Sequence, residues 1–138
     1  MMELTKDTCQ RIVAAKMYMD DNFHEPISLD GISERAFFSR FHFHRLFCRV
    51  YRKTPHQYLT RKRLLKAQEL LQQEHTVAEV CYEVGFESLG SFSVLFKKET
   101  GMAPVMFRNM MLMRKQKAAA QPRAFIPHCF IHQLVDKK

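Results

Sequence analysis

Two stretches of the chain carry the same pattern of apolar residues at helical spacing. The matching positions are Ser39 and Ser88, Phe43 and Phe92, Leu46 and Leu95, Phe47 and Phe96, and Pro55 and Pro104. Self-similarity at a constant step indicates a repeated structural unit. In each copy the Ser occupies the position of a helix N-cap, because its side-chain oxygen can accept a hydrogen bond from an unpaired backbone N–H. We therefore predict two equivalent helices, one after Ser39 and the other after Ser88.

Each repeated helix has an outer face that its core residues leave open. That face carries Phe41, His44, Arg45 and Cys48 in the first helix and Gly90, Ser93, Val94 and Lys97 in the second. A helix that packs on one side and presents a polar, basic surface on the other is what a protein that reads the DNA duplex requires. Because the arrangement occurs twice, the pattern favours two DNA-contacting helices.

A short helix is predicted just before each repeated helix. Ser28 is a suitable N-cap for the first short helix. Thr76 and Glu79 form the capping-box pattern for the second, in which each side chain satisfies a backbone donor of the other residue. Gly85 follows, and we expect it to let the backbone make the longer second turn. Two helices joined by a tight turn form a helix-turn-helix unit, so the chain is predicted to contain two such units.

A longer helix is predicted between the two units, from Pro55 to about Gln73. Proline is well suited to a first helical turn. At about 1.5 Å per residue the helix would extend about 28 Å, which approaches the roughly 34 Å of one duplex turn. Such a spacer can hold two DNA-contacting helices on one face of DNA. Its basic residues either contact phosphates or form a solvated surface, and they are Arg61, Lys62, Arg63 and Lys66.

The remaining segments complete an all-α prediction. An opening helix spans Thr8 to Asn22, and a final helix runs from Pro104 to Met113. We expect the methionines of the final helix to pack in the core, although an exposed methionine patch would suit a partner protein. Residues 114–122 are predicted to lead from the helix end into a linker, and residues 125–135 to form a short strand. The predicted organisation is a first helix-turn-helix unit over residues 8–54, a linker helix over 55–73, a second unit over 74–113, and a short C-terminal extension over 114–138.

Composition narrows the possible partners. The 138-residue chain carries a formal net charge of +8 and has a pI of about 9.5. The resulting positive field favours nucleic acid or an anionic membrane surface. No apolar run approaches the roughly 20 residues that a membrane-spanning helix needs, and the first residues lack the charged start and apolar core of a secretory signal. We therefore expect a cytoplasmic protein with no membrane partner.

The reactive side chains form no enzyme or metal signature. The cysteines are Cys9, Cys48, Cys81 and Cys129, which lie far apart without a Cys-x-x-Cys pair, so we expect reduced, mostly buried thiols. Cys129 lacks the Pro-Cys-His-Arg motif of a methyl acceptor, and the sequence has neither paired carboxylates at a cleft nor a phosphate loop. His128, Cys129 and His132 are weak evidence for a metal site. We expect no catalytic residues, no cofactor and no bound metal.

Many residues in this order and spacing together resemble a known family. The motifs that carry the resemblance are Ser28-Leu29, Ser39, Phe43, Arg45, Phe47, Thr54-Pro55, Tyr58-Leu59, Arg63-Leu64, Ala67, Leu70-Leu71, Gly85-Phe86, Ser88, Phe92, Phe96-Lys97-Lys98, Gly101 and Pro104. Over about residues 8 to 113 they strongly resemble the DNA-binding domain of the AraC/XylS transcriptional regulators. The resemblance implies two helix-turn-helix units joined by a long helix, with both recognition helices in successive major grooves. It also implies a monomer on an asymmetric site in double-stranded promoter DNA, acting more as an activator than as a repressor, with RNA polymerase as a partner.

The chain departs from the family pattern at four places. Val94 stands where members often carry an Arg, so we expect weaker hydrogen-bond readout from the second recognition helix. Arg52 occupies the place of a helix-ending Gly and is predicted to adopt a left-handed backbone conformation. Most members have a large N-terminal sensing domain, and we expect none here, because the residues before position 8 leave no room for one. The tail after Met113 is also longer than the family minimum.

The helix faces and the resemblance together give the candidate DNA-binding residues. They are Ser39, Arg40, Phe41, His44 and Arg45 in the first recognition helix, and Ser88, Leu89, Gly90, Ser93, Val94, Lys97 and Lys98 in the second. Arg45 is expected to contact a guanine edge or a phosphate, and a bidentate guanine contact is worth about 1–3 kcal/mol of discrimination. Phe41 either meets a thymine methyl group or lies in the core. Ser39 and Ser88 are N-caps whose neighbouring backbone N–H groups can face phosphates.

The second recognition helix carries few long polar side chains on its outer face. We expect it to read DNA shape and thymine methyl groups more than hydrogen-bonding groups. The basic charge and this polar-poor face leave an alternative function open. In that alternative, the chain is a chromatin-type protein that binds DNA without sequence preference.

Overall fold

The computed structural model describes residues 4–120, and over these residues the protein is all-helical, as predicted. Its helices are α1 (Lys6–Asn22), α2 (Leu29–Arg35), α3 (Arg40–Tyr51), α4 (Pro55–Leu71), α5 (Val77–Glu83), α6 (Leu89–Thr100) and α7 (Pro104–Ala120). Helices α2 and α3 form one helix-turn-helix unit, α5 and α6 form the other, and α4 links the two. The strand predicted over residues 125–135 lies outside the described residues.

Hydroxyl side chains cap the first six helices. The capping residues are Thr5, Ser28, Ser39, Thr54, Thr76 and Ser88, and each accepts a hydrogen bond from the backbone N–H three residues further on. These bonds confirm the predicted caps at Ser28, Ser39 and Ser88. At Thr54 the bond is reciprocal, since the Gln57 side chain accepts from the Thr54 N–H at 3.0 Å. The capping box predicted at Thr76 is half correct, because the Glu79 carboxylate lies 3.8 Å from His75 Nδ1 instead.

The linker helix contributes to two separate hydrophobic cores. The first core contains Ile12, Ala15, Met19, Ile32, Ala36, Phe43, Leu46, Phe47 and Leu59. The second contains Leu64, Ala67, Leu70, Leu71, Val80, Cys81, Val84, Phe92, Phe96 and Phe107. The four phenylalanines of the repeated pattern are all fully buried, and they are Phe43, Phe47, Phe92 and Phe96. The long helix therefore packs its N-terminal part in one unit and its C-terminal part in the other, which fixes it to both.

The turns of the two helix-turn-helix units begin with the same backbone hydrogen bonds, and the second turn is one residue longer, as predicted. In the first turn, the Phe37 N–H donates to Glu34 O at 3.0 Å and the Phe38 N–H donates to Ser33 O at 3.0 Å. In the second turn, Gly85 and Phe86 donate in the same way to Tyr82 and Cys81, at 3.2 and 3.1 Å. Both turns contain a residue with positive φ, which is 105° at Gly85 and 59° at Phe37, so Gly85 supplies the backbone freedom expected of it. A bulky residue in this conformation costs about 1–2 kcal/mol, so the first turn is the strained one.

The ends of the helices confirm some sequence predictions and correct others. Arg52 ends α3 with φ 61° and Gly101 ends α6 with φ 87°, so the predicted left-handed conformation of Arg52 is confirmed. Helix α4 ends at Leu71, two residues before the predicted position. Helix α7 continues to Ala120, beyond its predicted end at Met113. Residues 114–120 are therefore helical rather than the start of a linker.

The methionines of the last helical region are divided between core and surface. Met102 and Met111 pack against the second core, as predicted. Met106 and Met113 are exposed, so the packing prediction is wrong for these two residues. None of the helices within residues 4–120 combines the length and apolar composition that a membrane crossing demands.

Candidate nucleic-acid interface

Helix α3 separates its core residues cleanly from its outer face. Phe43, Leu46 and Phe47 are buried because they recur at helical spacing on the side that packs against α1 and α2. Phe41 points away from this core and is 76% exposed, which makes the alternative core assignment of Phe41 wrong. Arg45 lies one turn further along the helix and is also exposed. The outer face thus presents an aromatic ring and a guanidinium group to solvent.

The other predicted residues of α3 have partners of their own. The Ser39 side chain caps the helix, accepting from the His42 N–H at 3.2 Å. Arg40 Nε lies 3.8 Å from Asp30 Oδ1, an exposed pair between α3 and α2 that solvent screens. His44 is half-buried, and its Nδ1 lies 3.8 Å from Cys48 Sγ on the next turn.

Helix α6 presents a different outer surface. Leu89 is partly exposed and Val94 is 68% exposed. A Cβ atom added at Gly90 would meet no heavy atom within 4 Å, so the backbone there is open to a close approach. Lys97 and Lys98 are exposed in the last turn, where cations are favoured by the helix dipole. This face is apolar at its N-terminal end and basic at its C-terminal end.

Most of the predicted DNA-binding residues lie on the solvent side of α3 and α6. Of the twelve predicted residues, all are exposed except His44 and Ser93, which are half-buried. The two Ser residues cap their helices, and Ser88 accepts from the Ser91 N–H at 3.2 Å. Contact with DNA remains a prediction for each of these residues.

Two residues near the first recognition helix were missed by the sequence analysis. Phe37 is 82% exposed, although it occupies the strained position in the turn. Its alignment with Gly85 in the second unit is the sequence signal that could have revealed it. Arg11 of α1 holds the same turn, since its Nε donates to Ala36 O at 2.8 Å and its Nη2 donates to Phe37 O. No local pattern predicts this contact, because Arg11 is distant in sequence from the turn.

An aromatic and cationic stack continues from Arg11 into α3. The Arg11 guanidinium lies 3.9 Å from the centre of the Phe38 ring, and Phe38 stacks on the His42 ring at 5.1 Å. Cation–π contacts of this kind contribute about 0.5–1 kcal/mol at partly exposed sites. The first turn of α3 is thereby fixed to α1 as well as to α2.

The basic residues of the linker helix make intramolecular contacts. Arg61 Nη1 lies 2.8 Å from Glu99 Oε1, Lys62 Nζ lies 3.4 Å from Asp20 Oδ1, and Lys66 Nζ lies 3.3 Å from Glu69 Oε1. Arg63 donates to backbone carbonyls outside its own helix. Arg61, Lys62 and Arg63 therefore tie α4 to its neighbours, whereas Lys66 pairs within the helix. Contact with phosphates remains a prediction for all four residues.

A polar cluster joins the end of α1 to α4. The Tyr58 hydroxyl donates to Asp20 Oδ1 at 2.5 Å, and Lys16 Nζ lies 2.9 Å from Asp20 Oδ2. Burial alone would raise the pKa of Asp20, but the hydrogen bonds from Tyr58 and Lys16 and the charge of Lys62 lower it below its usual value. Burial and the bond to Asp20 raise the pKa of Tyr58 to about 12. At neutral pH the cluster is therefore an ionised carboxylate held by a neutral phenol and two ammonium groups.

The thiols are less buried than the sequence suggested. Cys81 is buried, and burial raises its pKa. Cys9 and Cys48 are partly exposed, so the prediction of mostly buried thiols is wrong for these two. Within residues 4–120 no group of three or more His, Cys, Asp or Glu side chains is placed to hold a metal ion. His128, Cys129 and His132 lie outside this range.

Comparison with known proteins places this architecture in a family. The sequence profile of a family described as "Helix-turn-helix domain" matches residues 32–110. The HTH-type transcriptional activator RhaS of Salmonella arizonae is 31% identical over 105 residues, covering 75% of this chain and 38% of RhaS. RhaS of Escherichia coli is 30% identical over the same length.

Solved structures agree with the sequence relatives. The DNA-binding domain of AdpA, a global transcriptional factor crystallised in complex with a target DNA, superposes with a TM-score of 0.69 at 26% identity, covering 82% of this chain and 97% of that one. An AraC-type regulator from Chromobacterium violaceum superposes with a TM-score of 0.68 at 27% identity, covering 78% and 97%. The chain belongs to the AraC/XylS family.

This AraC/XylS chain corresponds to a part of its longer relatives. It spans 38% of the length of the RhaS proteins that it matches. The proteins named above are described as regulators of transcription. The matched region is the part that contains both helix-turn-helix units, and the outer faces of α3 and α6 are accordingly its candidate DNA-binding surface.

Proposed function

We propose that this chain binds promoter DNA sequence-specifically by inserting α3 and α6 into successive major grooves. The observation that carries the proposal is the repeated, N-capped recognition helix, buried on one face by two phenylalanines and exposed on the other. The linker helix supports simultaneous insertion, because its 17 residues extend about 25 Å, which approaches the roughly 34 Å of one duplex turn. Since one chain carries both helices, it can occupy two half-sites as a monomer.

The two recognition helices are expected to contribute unequally to specificity. Arg45 on α3 carries a guanidinium that can donate two hydrogen bonds to a guanine edge. Phe41 beside it can contact a thymine methyl group. On α6 the exposed Val94 offers no hydrogen bond, so this helix reads thymine methyl groups and DNA shape, while Lys97 and Lys98 contact phosphates.

The regulatory direction is proposed from the relatives. RhaS is named as a transcriptional activator, which favours activation. RNA polymerase is the protein partner expected of such an activator. The second candidate function is DNA binding without sequence preference, favoured by the net charge of +8 and by the polar-poor face of α6.

Selection of binding sites from random duplex DNA tests the proposal. The experiment uses purified protein at one fixed, near-physiological salt concentration, because binding to phosphates depends steeply on salt. We expect an asymmetric motif of two short blocks about one helical turn apart, about 10 base pairs, with less information in the block read by α6. No enriched motif would favour the non-specific function, and a single block would contradict insertion of both helices.

An Arg45→Ala variant tests the base contact on the selected site. Loss of a bidentate guanine contact of about 1–3 kcal/mol weakens specific binding about 5- to 150-fold. Lys115→Ala on α7 is the matched control, because Lys115 is an exposed cation outside the proposed surface and its removal changes the net charge equally. Equal losses in the two variants would contradict the role of Arg45.

A further inference from the structure

Three parts of the molecule meet beside Arg63 of the linker helix. Arg63 Nε donates to Phe23 O at 2.6 Å, and its Nη2 donates to Glu25 O at 3.0 Å. Both carbonyls belong to the segment that follows α1 in the first unit. A guanidinium placed there satisfies carbonyl groups at a helix C-terminus, where a cation is also favoured by the helix dipole. Arg63 therefore ties the linker helix to the first unit.

The turn of the second helix-turn-helix unit lies against the same segment. A Cβ atom added at Gly85 would be 2.9 Å from Arg63 Nε, 3.0 Å from His24 O and 3.1 Å from Phe23 O. Distances this short leave no space for a side chain. Gly85 consequently brings the backbone of the turn between α5 and α6 directly onto the first unit, with the Arg63 side chain beside the contact.

Further ion pairs hold the linker helix on either side of this contact. Arg61 Nη1 lies 2.8 Å from Glu99 Oε1 near the end of α6. Lys62 Nζ lies 3.4 Å from Asp20 Oδ1 near the end of α1. The Arg61 pair is exposed and contributes at most about 1 kcal/mol, and the Lys62 pair joins α4 to the first unit alone. Arg63 is the side chain that lies against both units, because it donates to two carbonyl groups of the first and lies beside Gly85 of the second.

We propose that Arg63 is a positioning residue that sets the distance and rotation between α3 and α6, and thereby the number of base pairs between the two half-sites that the protein accepts. The proposal rests on the function proposed above. One added base pair displaces the second half-site by about 3.4 Å along the duplex axis and rotates it by roughly 35°. A rigid connection between the units cannot follow this change, whereas a loosened one can.

The geometry also explains why Arg is needed at this position. Its planar guanidinium presents several N–H donors in a fixed fork, which allows one side chain to bind two separate carbonyl groups. A lysine ammonium is a compact point charge, so it binds two separate carbonyl groups less well. Arg63→Lys should accordingly restore part of the function that Arg63→Met removes.

The test compares spacing tolerance among variants. The selected binding site is prepared with its native spacing, with one base pair added and with one removed, and dissociation constants are measured at fixed salt. The wild-type protein is expected to lose about tenfold or more in affinity on either altered site, comparable with one mismatched base pair. Arg63→Met is expected to lose less than about threefold, with Arg63→Lys between the two.

Lys66→Met is the matched control on the same helix. Lys66 pairs within α4 with Glu69, so its replacement removes the same charge without touching either unit. It is expected to keep the wild-type spacing profile, which is the loss of affinity on each altered site relative to the native site. This holds even if affinity falls on all three sites together. Circular dichroism and melting temperature establish that each variant is folded. If Arg63→Met does not fold, Arg63→Lys takes its place, and it must lose less affinity on the altered sites than the wild-type protein does.

Two results would overturn different conclusions. A folded Arg63 variant with the wild-type spacing profile would overturn the positioning role and leave sequence-specific binding intact. Absence of any sequence preference in the wild-type protein would overturn the proposed function, and the positioning role with it.

Discussion

Replacing Gly85 by Ala tests the contact between the two helix-turn-helix units through stability. At φ 105° an L-residue is strained, at a cost of about 1–2 kcal/mol. The new Cβ would also meet two backbone carbonyl oxygens at 3.0 and 3.1 Å, and overpacking of this kind costs about 1–3 kcal/mol. Ala also stabilises the protein by about 0.4–1 kcal/mol, because it restricts the conformations of the unfolded chain. The net expected loss is about 1–5 kcal/mol.

The assay is urea unfolding followed by circular dichroism, with Gly101→Ala and Gly90→Ala as matched controls. Gly101 has φ 87°, but a Cβ there meets nothing within 4 Å, so it isolates the backbone strain, about 1 kcal/mol. Gly90 lies inside α6 without strain or contacts, and Ala there is expected to stabilise by about 0.5–1 kcal/mol. The difference between Gly85→Ala and Gly101→Ala measures the steric contact.

We expect Gly85→Ala to lose the most stability, Gly101→Ala to lose less, and Gly90→Ala to gain stability. A loss at Gly85 no larger than the loss at Gly101 would mean that the segment after α1 does not press against the second turn. The positioning role of Arg63 would then lose its structural basis, because the second unit would not be seated on the first.

Two further predictions concern strain and pH. Arg52→Gly relieves the left-handed conformation at the end of α3 and is expected to raise the free energy of unfolding by about 0.5 kcal/mol, measured by urea unfolding; a loss of stability would contradict it. The pKa of Tyr58 is raised to about 12, above its unfolded value near 10, so its stabilising contribution is present below pH 10 and is lost as the pH rises towards 12. Unfolding measured from pH 8 to 11 should show a weaker decline in Tyr58→Phe, and an equal decline would refute this origin.

The local elements were predictable because their determinants lie within a few residues of one another. The N-caps Ser39 and Ser88 bond to N–H groups three residues away, and the buried phenylalanines follow from helical periodicity. The positive φ of Gly85 and of Arg52 followed from their positions at helix ends. The repeat pattern likewise indicated two recognition helices and the outer face of each. The sequence by itself therefore determined the helices, most of their caps and the candidate surface.

The relations between distant elements were decided by the tertiary structure. Arg63 appeared in the sequence as one cation in a basic run, and its two carbonyl acceptors lie 40 and 38 residues away along the chain. The contact between Arg11 and Ala36 was likewise decided by the tertiary structure. The same holds for the exposure of Phe41 and Phe37. A long cationic side chain can reach any of several carbonyls or carboxylates, and local pattern does not distinguish them. Packing of the two cores around α4 selects the partner, because it determines which backbone groups face each side chain.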